Sequence, residues 1–424
     1  MAMNRRQFNT RLAAASTVLS APFLVRCKSR PKVVVIGGGA GGATAARYLA
    51  KDSQGALDVT LIENSETYTT CFFSNLYLGD LRTLESLTHN YSTLETTFGI
   101  KVVKGYATEV DRAAKVVKLQ DGSVVAYDRV VVAPGIDLDY ESVPGYSKAA
   151  AEIAPHAWKA GAQTALLKGK LDAMEDGQDI VMVAPPNPYR CPPGPYERAS
   201  MMAHFLKTRG FKNSRITILD VKSSFAKQGL FAADWEEHYP GVIEWLPPEI
   251  HGGIINVDAS AGVVKTDFDD FEGTVLNIIP AMRAGAIASR SGLTDSLGYC
   301  PIDGASMRSV MDENVFVIGD ASMAGAMPKS GFSANSQAKV AAHHIRADLL
   351  ESSVYPVRYA NTCWSLISPE NSVKVGALYT PNAQGELVAA GSFVSDAEET
   401  AAQRKASFDA SVGWYDAITT DMFG

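Results

Sequence analysis

The chain has 424 residues, 46% hydrophobic and 20% charged, with 35 Gly and 20 Pro. That balance excludes a disordered or fibrous protein, and the length predicts two or three domains. The formal net charge of -7, with no basic block, argues against nucleic-acid binding.

Arg5-Arg6-Gln7-Phe8 precedes a mild apolar run from Leu12 to Val25, too short and too interrupted to span a bilayer. This reads as a Tat-type export signal over residues 1–30, which predicts a periplasmic protein folded around a cofactor before transport. Arg26 before Cys27 argues against a lipoprotein box. No later stretch is long and apolar enough to be a membrane helix, so no membrane span is expected.

Lys32–Ile36 predicts a buried strand, and Gly37-Gly38-Gly39-Ala40-Gly41-Gly42 follows it. A helix is predicted over Ala43–Ala50 and a second strand over Val59–Ile62, ending at Glu63. The glycines at 37, 39 and 42, with Ala40, fit a dinucleotide fingerprint. The turn lets backbone approach a pyrophosphate, and the helix start offers free N–H groups. Glu63, 21 residues beyond Gly42, stands where an acid holds a ribose hydroxyl.

Two later segments favour FAD over NAD. Val130-Val131-Val132-Ala133-Pro134-Gly135 predicts a buried strand and a tight turn, bringing Ala133 and Gly135 to the cofactor. Val315-Phe316-Val317-Ile318-Gly319-Asp320 predicts another strand, ending in the Gly319-Asp320 pair that in flavoproteins holds the ribityl chain. Met327-Pro328-Lys329-Ser330-Gly331 leads into a predicted helix from about Ser333 to Ala347. Its start, with Lys329 and Ser330, is expected to face the flavin pyrimidine and to stabilise negative charge there.

A second strand–turn–helix–strand unit is predicted from Asp179–Val183, a helix from about Tyr196, and Arg215–Leu219 ending at Asp220. Its turn carries six prolines within eleven residues, Pro185 to Pro195. Proline has no N–H to offer a phosphate, so NAD(P)H is not expected to bind there. The stiff turn is expected to present Cys191 instead.

Of the five cysteines, none opens a Cys-x-x-Cys-His haem attachment or a Cys-x-x-Cys zinc pair, so neither a metal nor a haem of its own is expected. Cys71 lies in Tyr68-Thr69-Thr70-Cys71-Phe72-Phe73-Ser74-Asn75, a segment expected to lie against the flavin with Asn75. Cys300 precedes the Gly-Asp strand, and Cys363 reads as a small buried hydrophobe. Four cysteines allow three pairings.

In these segments the sequence resembles the flavoprotein subunit of flavocytochrome c sulfide dehydrogenase. The resemblance rests on Tyr68-Thr69-Thr70-Cys71, Pro155-His156-Ala157-Trp158, Arg190-Cys191-Pro192-Pro193-Gly194-Pro195-Tyr196-Glu197-Arg198, Cys300-Pro301, Gly319-Asp320-Ala321, Pro328-Lys329-Ser330-Gly331 and the closing Phe423-Gly424. It implies an α/β, two-dinucleotide-binding-domain flavoprotein with a small C-terminal interface domain. It also implies a covalent 8α-S-cysteinyl FAD at Cys71, a redox-active disulfide between Cys191 and Cys300, and Glu197 as the nearby base. The implied reaction is sulfide oxidation to sulfur or polysulfide, with electrons passed to a separate c-type cytochrome subunit in a heterodimer. The sulfur-oxidation accessory flavoproteins are similar too.

The expected domains are FAD-binding over 31–150 and 283–346, a degenerate second nucleotide-binding domain over 151–282, and a C-terminal domain over 347–424. Trp364 and Trp414 are expected to pack in the core and His156 to be structural. Rival readings are an electron-transfer or sulfur-carrier subunit, an NAD(P)H-dependent disulfide or peroxide reductase, and a sulfide:quinone oxidoreductase.

Overall fold

The computed structural model describes residues 29–424; the expected export signal, but for its last two residues, and Cys27 lie outside the described residues. Val33, Val34, Val35 and Ile36 are all buried, as in a strand covered on both faces of a parallel sheet. The Lys32–Ile36 strand pairs in parallel with Asp58–Glu63 on one side and Arg129–Val132 on the other. Lys101–Lys104 extends the sheet outward from the first, and Asp312–Val317 from the second, also in parallel. The short strands Arg308–Ser309, Cys300–Asp303 and Ser322–Met323 complete an eight-stranded sheet.

The predicted first helix starts three residues early, at Ala40, and runs to Ser53. It can do so because the third glycine sits inside it. A Cβ on Gly42 would fall 1.8 Å from the Gly37 carbonyl oxygen, and one on Gly37, at φ +94°, would fall 2.4 Å from that of Ala133. The helix thus packs against the strand ends more closely than any side chain allows. Helix Gly331–Leu350 lies against it.

A second parallel sheet, in the order Ile243–Leu246, Ile216–Asp220, Ile180–Ala184, Val275–Ile278, repeats the unit. Its helix runs from Gly194 to Arg209, with Pro195 in the first turn, where a missing N–H costs nothing. Ile136–Asp139 and Ala281–Ala284 pair antiparallel where the chain passes between the two halves.

The C-terminal part is an antiparallel meander of Tyr359–Ser368, Asn371–Pro381 and Leu387–Val394, followed by helix Ala401–Phe423. Thr400 and Gln403 form a capping box that fixes the helix start. The helix then reaches back over the first half. Tyr415 bonds Thr70 at 3.2 Å and His89 at 3.1 Å, and Asp421 accepts from Tyr48 at 2.9 Å and pairs with Lys339 at 2.5 Å. The segment leading to Cys71 is therefore held from outside by the end of the chain. Among the described residues, no helix is long and apolar enough to cross a membrane.

Candidate active site: a dinucleotide groove opening onto a thiol-lined cavity

A groove runs across the ends of the first sheet. Gly37, Gly39, Ala40, Glu63, Cys71, Ala133, Gly135, Gly319, Asp320 and Ser330, all expected from the sequence, line it. Glu63 is fixed there: its carboxylate accepts the N–H groups of Gly38 at 2.6 Å, Asn64 at 2.8 Å and Ser65 at 3.0 Å. One oxygen of the Asp320 carboxylate is buried without a partner, a costly state unless a ligand hydroxyl completes it. The glycine cradle, the positioned acid and this orphaned oxygen together fit the pyrophosphate and sugar hydroxyls of FAD. Gly42 instead serves the packing described above.

The groove opens onto a second cavity. Cys71, Phe72, Arg190, Ser330 and Gly331 line both. Cys191, Glu197, Cys363, Trp158, Phe332, Trp364 and Trp414 line the second only. Three of the four described thiols thus surround one space, and all four are unbonded. Cys191 sits at φ +58° on the proline turn, and its N–H donates to the Lys329 carbonyl at 2.8 Å. A Cβ on Gly194 would lie 3.0 Å from the Cys191 sulfur and 2.8 Å from the Trp158 ring, so only glycine lets the helix start this close.

Cys300 is not among these residues. It is fully buried, packed with Val132, Val317, Ala321 and Tyr299 within the first half. Burial pushes its thiol up to about 12, and the charged groups acting on it are Lys329 and Asp295, not another thiol. The expected Cys191–Cys300 pair is therefore corrected. Cys363 lines the same cavity as Cys191 and lies within electrostatic reach of it. The Cys300–Asp303 strand pairs with Ser322–Met323 near the sheet's edge, and strand geometry turns that side chain into the core. Proximity in sequence to Gly319-Asp320 was the wrong guide.

Cys363, read as inert, lies on a strand whose same-face neighbours Asn361 and Ser365 are also polar and buried. A polar i, i+2, i+4 face on a buried strand was the missed signal. Asn361 Nδ2 donates to the Cys363 sulfur at 3.3 Å. Lys227, at the start of helix Gln228–His238, donates to the Cys363 carbonyl at 3.3 Å, to Ser365 Oγ at 2.8 Å and to the Val373 carbonyl at 3.4 Å. Burial pulls Lys227 down to about 8.

Glu197 lies in the first turn of its helix, as expected, but its carboxylate faces the cavity. It accepts from Asn75 Nδ2 at 2.8 Å and from the Leu366 N–H at 2.9 Å. Burial raises its pKa, against the opposing effect of those two bonds. Asn75, expected against the flavin, lines the cavity rather than the groove; it bridges Glu197 to Arg198, whose Nε donates to Asn75 Oδ1 at 3.1 Å.

Lys329 also departs from expectation. Its ammonium donates to the Asp320 carbonyl at 3.0 Å and the Ser322 carbonyl at 2.7 Å, over the Tyr299 ring, and it lines neither space. Burial pulls it down to about 8. The helix start itself does face the groove through Ser330 and Gly331.

Trp364 and Trp414 form a cavity wall with Phe332 and Phe72, and Trp414 and Phe72 also pack against the core: Phe332 and Trp414 stack at 5.8 Å and 5°. His156 is structural, as expected. Its Nδ1 accepts the Trp158 N–H at 2.9 Å, and burial lowers it to about 3. Arg190, not singled out from the sequence, stands at the junction of the two spaces, 3.6 Å from Asp320.

In the second half the nucleotide position is filled from within. Asp220, which would hold a ribose, is fully buried and accepts from Tyr196 at 2.5 Å, Lys222 Nζ at 2.6 Å and Trp245 at 3.0 Å. Lys222 also donates to the Pro185 carbonyl at 2.7 Å, tying the proline turn to that acid.

Fold and site together define a flavoprotein oxidoreductase with two dinucleotide-binding halves, and the profile described as "Pyridine nucleotide-disulphide oxidoreductase" matches residues 31–171. "Sulfide dehydrogenase [flavocytochrome c] flavoprotein chain, central" matches residues 164–280, and "Flavocytochrome c sulphide dehydrogenase, flavin-binding" matches 355–423. The sulfide dehydrogenase [flavocytochrome c] flavoprotein chain of Chlorobaculum thiosulfatiphilum is 50% identical over 44 residues, 10% of this chain and 90% of that one. The chain belongs to the family of flavocytochrome c sulfide dehydrogenase flavoprotein chains. It is also similar to the mitochondrial sulfide:quinone oxidoreductase of Mus musculus, at 23% identity over 69% of this chain. That match spans 66% of the mouse protein, just under two thirds. The solved structure of the sulfide:quinone oxidoreductase from Aquifex aeolicus shares the fold, with a TM-score of 0.70 and 16% identity over 92% of this chain and 91% of that one.

Proposed function

We propose that the chain oxidises sulfide by thiol–disulfide exchange beside a flavin and delivers the electrons to a separate c-type cytochrome subunit. The observation that carries this reading is the cavity shared by Cys71, Cys191, Cys363 and Glu197 at the mouth of the FAD groove. Cys191 and Cys363 are the redox pair of the proposal. HS⁻ attacks one sulfur of their disulfide; a bond to the incoming sulfur forms, the disulfide breaks, and the electron pair stays on the other cysteine. Glu197, with its pKa raised by burial, takes the proton of the sulfur species entering or leaving. When bound, FAD supplies a two-electron acceptor that releases electrons singly, as a haem requires.

Cys71 is the proposed covalent anchor, because it alone of the three cavity thiols also lines the groove. A heterodimer with the cytochrome, in the periplasm after Tat export, is part of the same proposal. The family descriptions, which name flavocytochrome c, favour a cytochrome over a quinone as acceptor. Anaerobic addition of sulfide to the FAD-loaded chain tests the reading. The flavin absorbance should bleach, and cytochrome c, not a short-chain quinone, should restore it. A flavin that stays oxidised while the Cys191–Cys363 disulfide is intact rules the function out.

A further inference from the structure

Resting on that function, the geometry points to Asn361 as a catalytic residue that makes Cys363 the sulfur released as thiolate. Its amide orientation is determined by a chain of bonds that begins at the flavin groove. Ser330 caps helix Gly331–Leu350, and its Oγ accepts the Ser333 N–H at 3.0 Å. Its hydroxyl lies 2.6 Å from Asn361 Oδ1 and 3.1 Å from Ser333 Oγ, and the shorter bond is the one to the amide. The other end of the amide, Nδ2, lies 3.3 Å from Cys363 Sγ, nearer than Oδ1 at 3.9 Å. Asn361 is 3% exposed, so water does not compete for either end.

A neutral donor aimed at a sulfur lowers the cost of negative charge there. Burial raises the Cys363 thiol, and the Asn361 bond acts against that rise; Lys227 also favours the thiolate and Glu197 opposes it, while Cys191 and Tyr379 lie within electrostatic reach. Lys227 reaches the strand from behind, through the Cys363 carbonyl. Cys191 has no comparable hydrogen-bond donor among the described residues; burial and the carboxylate of Glu197 work against its thiolate, and Arg190 favours it. Sulfide therefore attacks Cys191. The new S–S bond forms on Cys191, the Cys191–Cys363 bond breaks, its electron pair stays on Cys363, and the proton stays on the incoming sulfur. The better leaving thiolate departs, as exchange chemistry requires. Because Ser330 lines the groove as well as the cavity, the charge on Cys363 is coupled to the helix start that faces the flavin.

The experiment uses FAD-loaded protein carrying Cys191→Ser, in which Cys363 has no partner. The rate of Cys363 alkylation by iodoacetamide is followed against pH by mass mapping. Asn361→Ala should raise the pH of half-maximal reactivity by about one unit, roughly tenfold less thiolate at a fixed lower pH. Asn361→Asp, nearly isosteric, keeps an oxygen for Ser330 but replaces the donor with an acceptor, and should raise it further. Ser330→Ala frees the amide to turn and should give a smaller rise. A midpoint unchanged in Asn361→Asp, with flavin content retained, overturns the inference; if Asn361→Asp loses flavin, a midpoint unchanged in Ser330→Ala overturns it instead. In the otherwise intact chain, sulfide should leave a persulfide on Cys191, and a persulfide confined to Cys363 overturns it as well. The alkylation midpoint reads Asn361 without turnover, whereas failure of the function shows as absent flavin bleaching, so the two failures are distinguishable.

Discussion

Glu197 Oε1 accepts the Leu366 N–H at 2.9 Å, which bonds the helix that follows Cys191 to the strand that carries Cys363. The second nucleotide-binding half and the C-terminal meander are joined at the point where the two thiols face one cavity. Lys227 makes a further tie between the same two parts, from behind Cys363. The site is thus assembled between segments far apart in sequence, and its geometry depends on these few polar bonds.

Replacing the wrong thiol should be nearly silent. Cys300→Ala removes a buried sulfur packed among apolar side chains and should cost about 1 kcal/mol of stability by urea titration, with sulfide-dependent flavin bleaching within about twofold of the unaltered chain. Cys363→Ser should abolish the bleaching. Peptide mapping of oxidised protein should find Cys191 joined to Cys363; a Cys191–Cys300 bridge would refute the pairing.

Cys71→Ser should convert a tightly attached flavin into an extractable one. Acid precipitation of the unaltered chain is expected to leave the flavin with the pellet, and that of the variant to leave it in the supernatant. Flavin in the supernatant in both cases would remove Cys71 as an anchor.

The rate of flavin reduction should fall on the acid side with a midpoint above that of an ordinary glutamate, because burial raises Glu197 and a base must be unprotonated to act. Glu197→Gln keeps a group able to accept the Leu366 N–H and should flatten that limb while lowering the rate about 10²-fold. Stopped-flow absorbance across pH is the measurement, and an unaltered acid limb in the variant would sink the assignment.

Lys227→Met should lower stability by about 1–3 kcal/mol, since two carbonyls and a hydroxyl lose their donor. The pH profile distinguishes this from loss of packing alone. Burial holds Lys227 at about 8 in the folded chain, so between that value and the ordinary lysine range the unfolded state binds the extra proton. Stability of the unaltered chain should therefore rise relative to Lys227→Met as pH climbs through that window. Urea midpoints at several pH values report it, and parallel profiles would contradict the shift.

NADH should leave the flavin oxidised. Asp220 is saturated by Tyr196, Lys222 and Trp245, and Lys222 ties the proline turn to it. Absorbance after anaerobic NADH addition is the check, and rapid bleaching would show that the second half still takes a nicotinamide.

The first half of the molecule was legible because its signals are local. The Lys32–Ile36 strand, the glycine turn and Glu63 fall within one strand–helix–strand unit, and the groove they line is where spacing puts it. The proline turn was legible for the same reason: its six prolines fall within one stretch of eleven residues. Lys329 and Asn75 were near the right places, but the direction of a side chain depends on partners brought from elsewhere, here the Asp320 and Ser322 carbonyls and Glu197.

The choice between Cys300 and Cys363 lay beyond the sequence for a physical reason. Which thiol meets Cys191 depends on which face of a strand each occupies and on how the meander docks against the second half. Those are set by long-range bonds such as Glu197 to Leu366 and Lys227 to Ser365. Local pattern determined the two dinucleotide-binding halves, the acid at Glu63 and the proline-rich turn. Tertiary packing alone decided that Cys300 is core and Cys363 faces the cavity, because that packing joins segments too distant along the chain for spacing to register them.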